Sequence, residues 1–170
     1  ALVVRTTATL ALVIGCPGLC GAQHGPGVTD AEIKFGQSMP YSGPLSSQGV
    51  MTGRTMQAYF DKVNDEGGIN GRRIRLISLD DGYSPPKTVE QTRKLVEHEE
   101  VLLIFGTLGT PTNTAYHKYV NVKKVPHLFL ATGATKWGDP KNYPWTIGFF
   151  FNDPATAEIY TKYILKNKPD

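Results

Sequence analysis

Val101 to Tyr116 reads V-L-L-I-F-G-T-L-G-T-P-T-N-T-A-Y, and the fold class follows from how it is parsed. Val101 to Phe105 is apolar throughout, which suits a central parallel strand covered on both faces. Gly106 and Gly109 break the run. Thr110-Pro111 then starts a helix, with Thr110 as the expected N-cap and Pro111 at the first helical position. Such a helix aims free backbone N–H groups and the positive end of its dipole at the space above the strand. With the hydroxyls of Thr107, Thr110 and Thr112 beside it, the loop can receive a small anion. An ordinary capped strand-to-helix turn explains the same residues, so other loops must converge here before it counts as a site.

The flanking sequence supplies those loops. Glu32 to Ser38 alternates as a first strand and opens into Met39–Gly49, a loop rich in Pro, Gly and Ser. A helix runs from there to about Glu66, with Met56, Tyr59, Phe60 and Val63 as its expected buried stripe. Gly67-Gly68 ends it and Asn70-Gly71 turns the chain. Arg73 to Leu79 is a second strand ending in Asp80-Asp81-Gly82-Tyr83, and Ser84 can cap the next helix, with Pro85 and Pro86 in its first turn.

Beyond the central strand and its helix, where Ala115, Tyr119 and Val122 are expected inward, Val125 to Leu130 forms a fourth strand leading into Ala131–Trp137. Trp145 to Phe151 is a candidate fifth. Asn152 or Asp153 caps a last helix with Ile159, Tyr163 and Ile164 inward. Strands alternating with helices predict an α/β fold, a doubly wound parallel sheet with right-handed crossovers. Ligands in such sheets bind outside the carboxyl ends of the strands. Tyr41, Tyr83 and Trp137 fall in those strand-end loops, where they can wall a pocket.

Several function classes lack their markers. The 170 residues carry 18 Lys and Arg against 15 Asp and Glu, a net charge of +3, interspersed rather than blocked, so a nucleic-acid partner is not expected. Neither G-x-G-x-x-G nor G-x-x-x-x-G-K-[ST] is present. His24, His98, His117 and His127 show no metal spacing and are expected at the surface or in loops; no cofactor or metal is implied. Asp80-Asp81 could hold a magnesium ion, but the central strand ends in Gly106-Thr107 rather than a further acid. The pair is expected to cap the Pro-rich helix and satisfy loop N–H groups, and the chain is not expected to be an enzyme.

Ala1 to Ala22 has one charge, Arg5, then the apolar run Leu10–Ile14 and small residues. This is the pattern of a secretory signal peptide, with cleavage after Ala22 favoured. Val13–Cys16, which resembles a lipobox with Cys16 lipidated, is the alternative. Both cysteines lie in this leader, so the exported chain is expected to be free of disulfides.

Five segments together resemble the branched-chain amino-acid-binding proteins (the Leu/Ile/Val-binding type) of bacterial ABC transporters. They are Ile33–Pro44 (I-K-F-G-Q-S-M-P-Y-S-G-P), Val63–Gly71 (V-N-D-E-G-G-I-N-G), Leu79–Pro85 (L-D-D-G-Y-S-P), Gly106–Thr110 and Ala131–Thr135 (A-T-G-A-T). The resemblance runs from Val28 to about Asp170 and implies a periplasmic binding protein of type I, a two-lobed receptor that closes on a solute and delivers it to permease subunits in the inner membrane. It further implies that Thr110 holds a ligand carboxylate, that Gly133 offers a carbonyl to the ammonium, that Thr135 adds a hydroxyl and N–H, and that Gln48 stands where relatives place an aromatic ring over the ligand. With Tyr41 and Tyr83 these are the candidate site residues.

Relatives of this type run to more than twice this length, so the chain is expected to be a fragment: signal peptide 1–22, an incomplete first lobe 23–144, and the crossover and first helix of a second lobe at 145–170. A ligand-sensing domain of a receptor with the same fold, an aromatic-carboxylate receptor, and a secreted enzyme using Asp80 or Asp81 are the other readings.

Overall fold

The computed structural model describes residues 24–168; the candidate signal peptide, with Cys16 and Ala22, lies outside them. Five strands form one sheet in the order β2-β1-β3-β4-β5, and every pairing is parallel. They are β1 (Glu32–Met39), β2 (Arg73–Asp80), β3 (Leu103–Phe105), β4 (His127–Leu130) and β5 (Thr146–Gly148). Four helices follow strands: α1 (Ser46–Asp65) after β1, α2 (Pro85–Glu97) after β2, α3 (Thr110–Val122) after β3 and α4 (Asp153–Asn167) after β5. The apolar run at 101–105 therefore carries the middle strand of the sheet, as its composition predicts, although the strand itself begins only at Leu103.

Successive residues of β3 serve opposite faces, as the strand period requires. Ile104 joins Leu95, Val101, Tyr116 and Val120 in the core beneath α2 and α3. Phe105 turns the other way, stacking on Phe35 at 5.7 Å and meeting Phe60 of α1 edge-on at 5.4 Å. Asn64 ties α1 down: its side chain donates to the Ile74 carbonyl (2.8 Å) and accepts the Ile74 N–H (2.7 Å).

Three helix faces differ from the hydropathy reading. In α1 the buried residues are Gly49, Gly53, Phe60 and Asn64, while Tyr59 is exposed, because small residues let the helix approach the β1–α1 turn closely. In α3 the buried face is Thr112, Asn113, Tyr116, His117 and Val120; Ala115 and Val122 face solvent. A buried hydrogen-bond network, described below, draws those polar residues inward. In α4 no side chain is buried, so Ile159, Tyr163 and Ile164 stand exposed rather than inward. Its start is as read from the sequence, Asn152 accepting from the Ala155 N–H at 2.9 Å. Among the described residues no helix is long and apolar enough to cross a membrane.

Candidate functional site at the strand carboxyl ends

The chain leaves β1 toward β2 on one side and enters β3 on the other, so the switch point of the sheet lies between the carboxyl ends of β1 and β3. The two acids at the end of β2 organise the β1–α1 loop. Asp80 Oδ1 accepts the N–H groups of Tyr41 (2.9 Å), Ser42 (3.0 Å) and Gly82 (3.0 Å), and Oδ2 accepts from the Ser42 hydroxyl (2.7 Å) and Lys87 Nζ (3.0 Å). Burial pulls its pKa upward, but the Ser42 and Lys87 bonds and the backbone N–H groups outweigh burial and hold the carboxyl well below the usual range. Asp81, 1% exposed, accepts from the Ser38 hydroxyl (2.7 Å), the Thr88 hydroxyl (3.1 Å) and the Tyr83 N–H (2.8 Å). Both carboxylates satisfy loop N–H groups as expected, but from α2 they accept only side-chain donors, so neither they nor Ser84 caps a backbone N–H of the Pro-rich helix.

The β3–α3 loop is anchored from below. Gly109, at φ 94°, occupies the N-cap position of α3, one residue before the Thr110 predicted there, and no side chain caps the helix. Thr107 turns inward, its hydroxyl bonding Asn113 Oδ1 at 2.5 Å. Thr112 also turns back, donating to the Leu108 carbonyl at 2.6 Å. Of the three expected hydroxyls only Thr110 stays at the mouth, paired with Thr132 Oγ1 of the β4 loop at 2.5 Å. Thr132 also receives the Trp137 indole N–H at 3.3 Å. Trp137 is thereby 4% exposed, holding the β4–β5 connection against His117 while one side of it lines the smaller of two clefts, as expected of a pocket wall.

Beneath this loop Asn113, Tyr116 and His127 form a closed cluster. Asn113 Oδ1 accepts from the Tyr116 hydroxyl (2.7 Å) and lies 3.0 Å from His127 Nε2. His117 and His127, expected at the surface, are 5% and 0% exposed. His127 Nδ1 is buried with no partner, and burial, with the neighbouring His117 adding to it, pushes the pKa of His127 down to about 3. The folded chain therefore resists a proton that the unfolded chain accepts near pH 6.5. Stability attributable to His127 is whole above pH 6.5 and falls as pH drops toward about 3, with a limiting slope of about 1.4 kcal/mol per pH unit. Urea unfolding at pH 7 and pH 5 checks this. The acid-induced loss is expected to shrink in His127→Gln, and an unchanged loss would mean that other groups carry it.

A cleft of about 350 Å³ opens at the switch point, lined by Gln48, Thr52, Met56, Phe105, Leu108, Phe129, Ala131, Phe149 and Phe150. A second, of about 240 Å³, shares Phe150 and adds Thr132, Ala134, Thr135, Trp137 and Asn152. The candidate residues are thus divided. Gln48 lines the first cleft and Thr135 the second, with the Thr110–Thr132 pair joining the two loops. The Gly133 carbonyl accepts the Asp153 N–H at 2.7 Å. Tyr83 packs against Gly109, leaving no room there for a Cβ. Tyr41 is turned into the protein, its hydroxyl 2.5 Å from Ser78 Oγ. Thr132 and Phe129, which nothing in the local sequence singles out, and Met56, expected only in the core, complete the linings. The spacing of Gln48, Thr52 and Met56, one helical turn apart, was the available signal.

Comparison with known proteins agrees with this fold. The pattern of the periplasmic binding proteins matches residues 32–169. Leu/Ile/Val-binding protein homolog 7 of Brucella abortus (strain 2308) is 28% identical over 117 residues, 69% of this chain and 29% of that protein. The chain thus spans less than a third of that relative's length. Among solved structures, a possible leucine/isoleucine/valine-binding protein from Rhodopirellula baltica SH 1 superposes with a TM-score of 0.75 at 25% identity, over 81% of this chain and 37% of that one. A fatty acid ABC transporter substrate-binding protein from Thermomonospora curvata is 33% identical over 62% of this chain and 27% of that one, with a TM-score of 0.57. A parallel sheet of this strand order, loops meeting over its switch point and a family pattern running from the start of β1 past the end of α4 lead to one conclusion: the chain belongs to the periplasmic binding protein family.

Proposed function

We propose that this chain forms the first lobe of an extracytoplasmic solute receptor, binding an amino acid of the branched-chain type or a similar small carboxylate for delivery to an ABC transporter permease. The observation that carries the reading is the Thr110–Thr132 hydroxyl pair at the N-terminus of α3, with Thr132 lining the smaller cleft, which shares Phe150 with a larger one whose lining has no charged side chain. A carboxylate losing its water there meets hydroxyls and helix N–H groups, and its apolar remainder meets Met56, Leu108 and the phenylalanines. Thr135 lines the smaller cleft, whereas the Gly133 carbonyl, expected to meet a ligand's ammonium, accepts the Asp153 N–H instead. Residues 23–144 make up the first lobe on this reading, together with edge strand β5 that pairs with β4; the chain leaves the lobe after it, with Phe149, Phe150, Phe151 and α4 presenting the face that the second lobe covers. The names of the relatives from Brucella abortus and Rhodopirellula baltica support the ligand class.

Thr110→Val and Thr135→Val test the polar end. In titrations with L-leucine each is expected to weaken binding by about 1–3 kcal/mol, the scale of one lost polar partner in a dry site. Unchanged affinity in both would place the carboxylate elsewhere.

A further inference from the structure

A groove of about 520 Å³ lies at the pole opposite the strand carboxyl ends, between the last turns of α3 and the loop that leads into β5. Lys118 and Lys124 line it from the helix side and Tyr143 and Trp145 from the loop. The loop is held from inside. Asn121 accepts the Trp145 N–H at 3.1 Å and donates to Thr146 Oγ1 at 2.8 Å and to the His117 carbonyl at 2.9 Å. Asp139 accepts from the Asn142 N–H (3.2 Å) and its side-chain amide (2.7 Å), and Tyr143 stacks on His117 with ring centroids 3.9 Å apart. Trp145, 37% exposed, is thereby presented to solvent on a pinned loop, and little backbone entropy is lost when it is covered.

The helix side carries charge at a conformational cost. Lys124 has φ 57°, the left-handed position just beyond α3, where its N–H reaches the Asn121 carbonyl (3.2 Å) and the Val125 N–H reaches the Val120 carbonyl (2.9 Å). Glycine is the usual residue at this point of a helix end, and a lysine there is uncommon. Among the described residues Lys123 pairs with Glu97 at 3.6 Å, while Lys118, Lys124 and Lys141 have no acid within 4 Å. Lysines at a helix C-terminus complement its dipole, which explains their sign but not the exposed indole beside them or Val122, 71% exposed in the same groove.

We propose that this groove is a peripheral contact for a membrane surface bearing anionic headgroups, with Trp145 and Val122 entering the headgroup layer and Lys118, Lys124 and Lys141 meeting its phosphates. An indole with its polar edge beside unpaired lysines is the composition found where proteins meet the membrane–water interface, and each lysine near an anionic leaflet adds attraction. A bound peptide or polar small molecule would look for hydrogen-bond partners instead. The groove's two side-chain amides, Asn121 and Asn142, already donate within the protein. What is left is positive charge and apolar rim. Because the groove lies at the amino ends of β4 and β5, a membrane there leaves the two clefts at the carboxyl ends uncovered.

The test follows tryptophan fluorescence while the chain is titrated with vesicles carrying brominated lipid chains as quencher, made of phosphatidylcholine alone or mixed with phosphatidylglycerol. Of the chain's two tryptophans Trp137 is buried, so quenching reports Trp145. The mixed vesicles are expected to quench it and the neutral ones not. Trp145→Phe, which keeps the loop's main-chain bonds, is expected to remove the quenching. Lys118→Gln combined with Lys124→Gln is expected to weaken binding about fivefold per lysine removed. Arg54→Gln combined with Lys136→Gln, which removes the same charge elsewhere, is expected to leave it unchanged. Equal quenching by neutral vesicles, binding indifferent to Lys118 and Lys124, or an equal loss in the Arg54 and Lys136 pair overturns the proposal. So does a Trp145 response to hexaglutamate with none to either vesicle, which would assign the groove to an acidic protein segment. None of these outcomes bears on the receptor reading, which Thr110→Val and Thr135→Val test separately.

Discussion

Replacing Asn113 with leucine is expected to cost about 4 kcal/mol of folding stability, although the two side chains are close in size. Asn113 is fully buried and works in both directions. Its Nδ2 donates to the Gly109 carbonyl at 2.6 Å and to the Thr107 carbonyl at 3.4 Å, while Oδ1 accepts from the Thr107 and Tyr116 hydroxyls. Leucine removes the Oδ1 acceptor of the Thr107 and Tyr116 hydroxyls, which then have only each other and His127 Nε2, and each buried polar group left short of a partner costs about 1–3 kcal/mol. The loop should loosen as well, because Asn113 spans it from Thr107 to Gly109. Urea unfolding measures the first effect. A loss below about 1 kcal/mol would show that the network is not maintained in solution.

A comparable loss, about 3 kcal/mol or more, is expected from the smallest possible change at Gly49. An alanine there would overlap the Pro40 carbonyl, which is backbone and cannot swing aside. Helix α1 must then lift from the β1–α1 turn, carrying Gln48 away from the cleft. Alanine is the better helix former by about 1 kcal/mol, so propensity alone predicts the opposite sign. Thermal unfolding decides between them, and a variant as stable as the parent would show that the contact is not tight. Gly53 makes a useful contrast, since its close neighbour is the ring of Tyr41 rather than backbone.

The order of elements was legible because it depends on local signals. An unbroken apolar run marks β3, Gly67-Gly68 and Asn70-Gly71 mark the exit from α1, and the strand-end loops are rich in small residues. The Asn152 cap and the inward use of Asp80 and Asp81 were legible for the same reason. The face of α3 was not. Hydropathy sends Asn113 and His117 outward and Val122 inward, whereas the partners that bury Asn113 are Thr107 and His127, on other elements. Thr132 has no distinguishing neighbour in sequence; its importance comes from being met by Thr110 and Trp137 across separate loops. Phe129 is plain strand composition, and nothing in it announces a left-handed backbone. Composition reports how a residue suits its own element, while these positions are set by what lies across from them.

Helix α4 buries none of its side chains, yet it carries Ile159, Tyr160, Tyr163, Ile164 and Leu165. A fifteen-residue helix in water is marginal on propensity alone. Its helicity is therefore conditional, a property of docking rather than of the segment. Whatever surface α4 meets must supply its ordering entropy, so the affinity of that contact will be lower than its apolar area suggests and will weaken on warming as the helix melts. A change at Tyr163 or Ile164 would then be felt first as lost helix content in this segment, before any loss in the sheet.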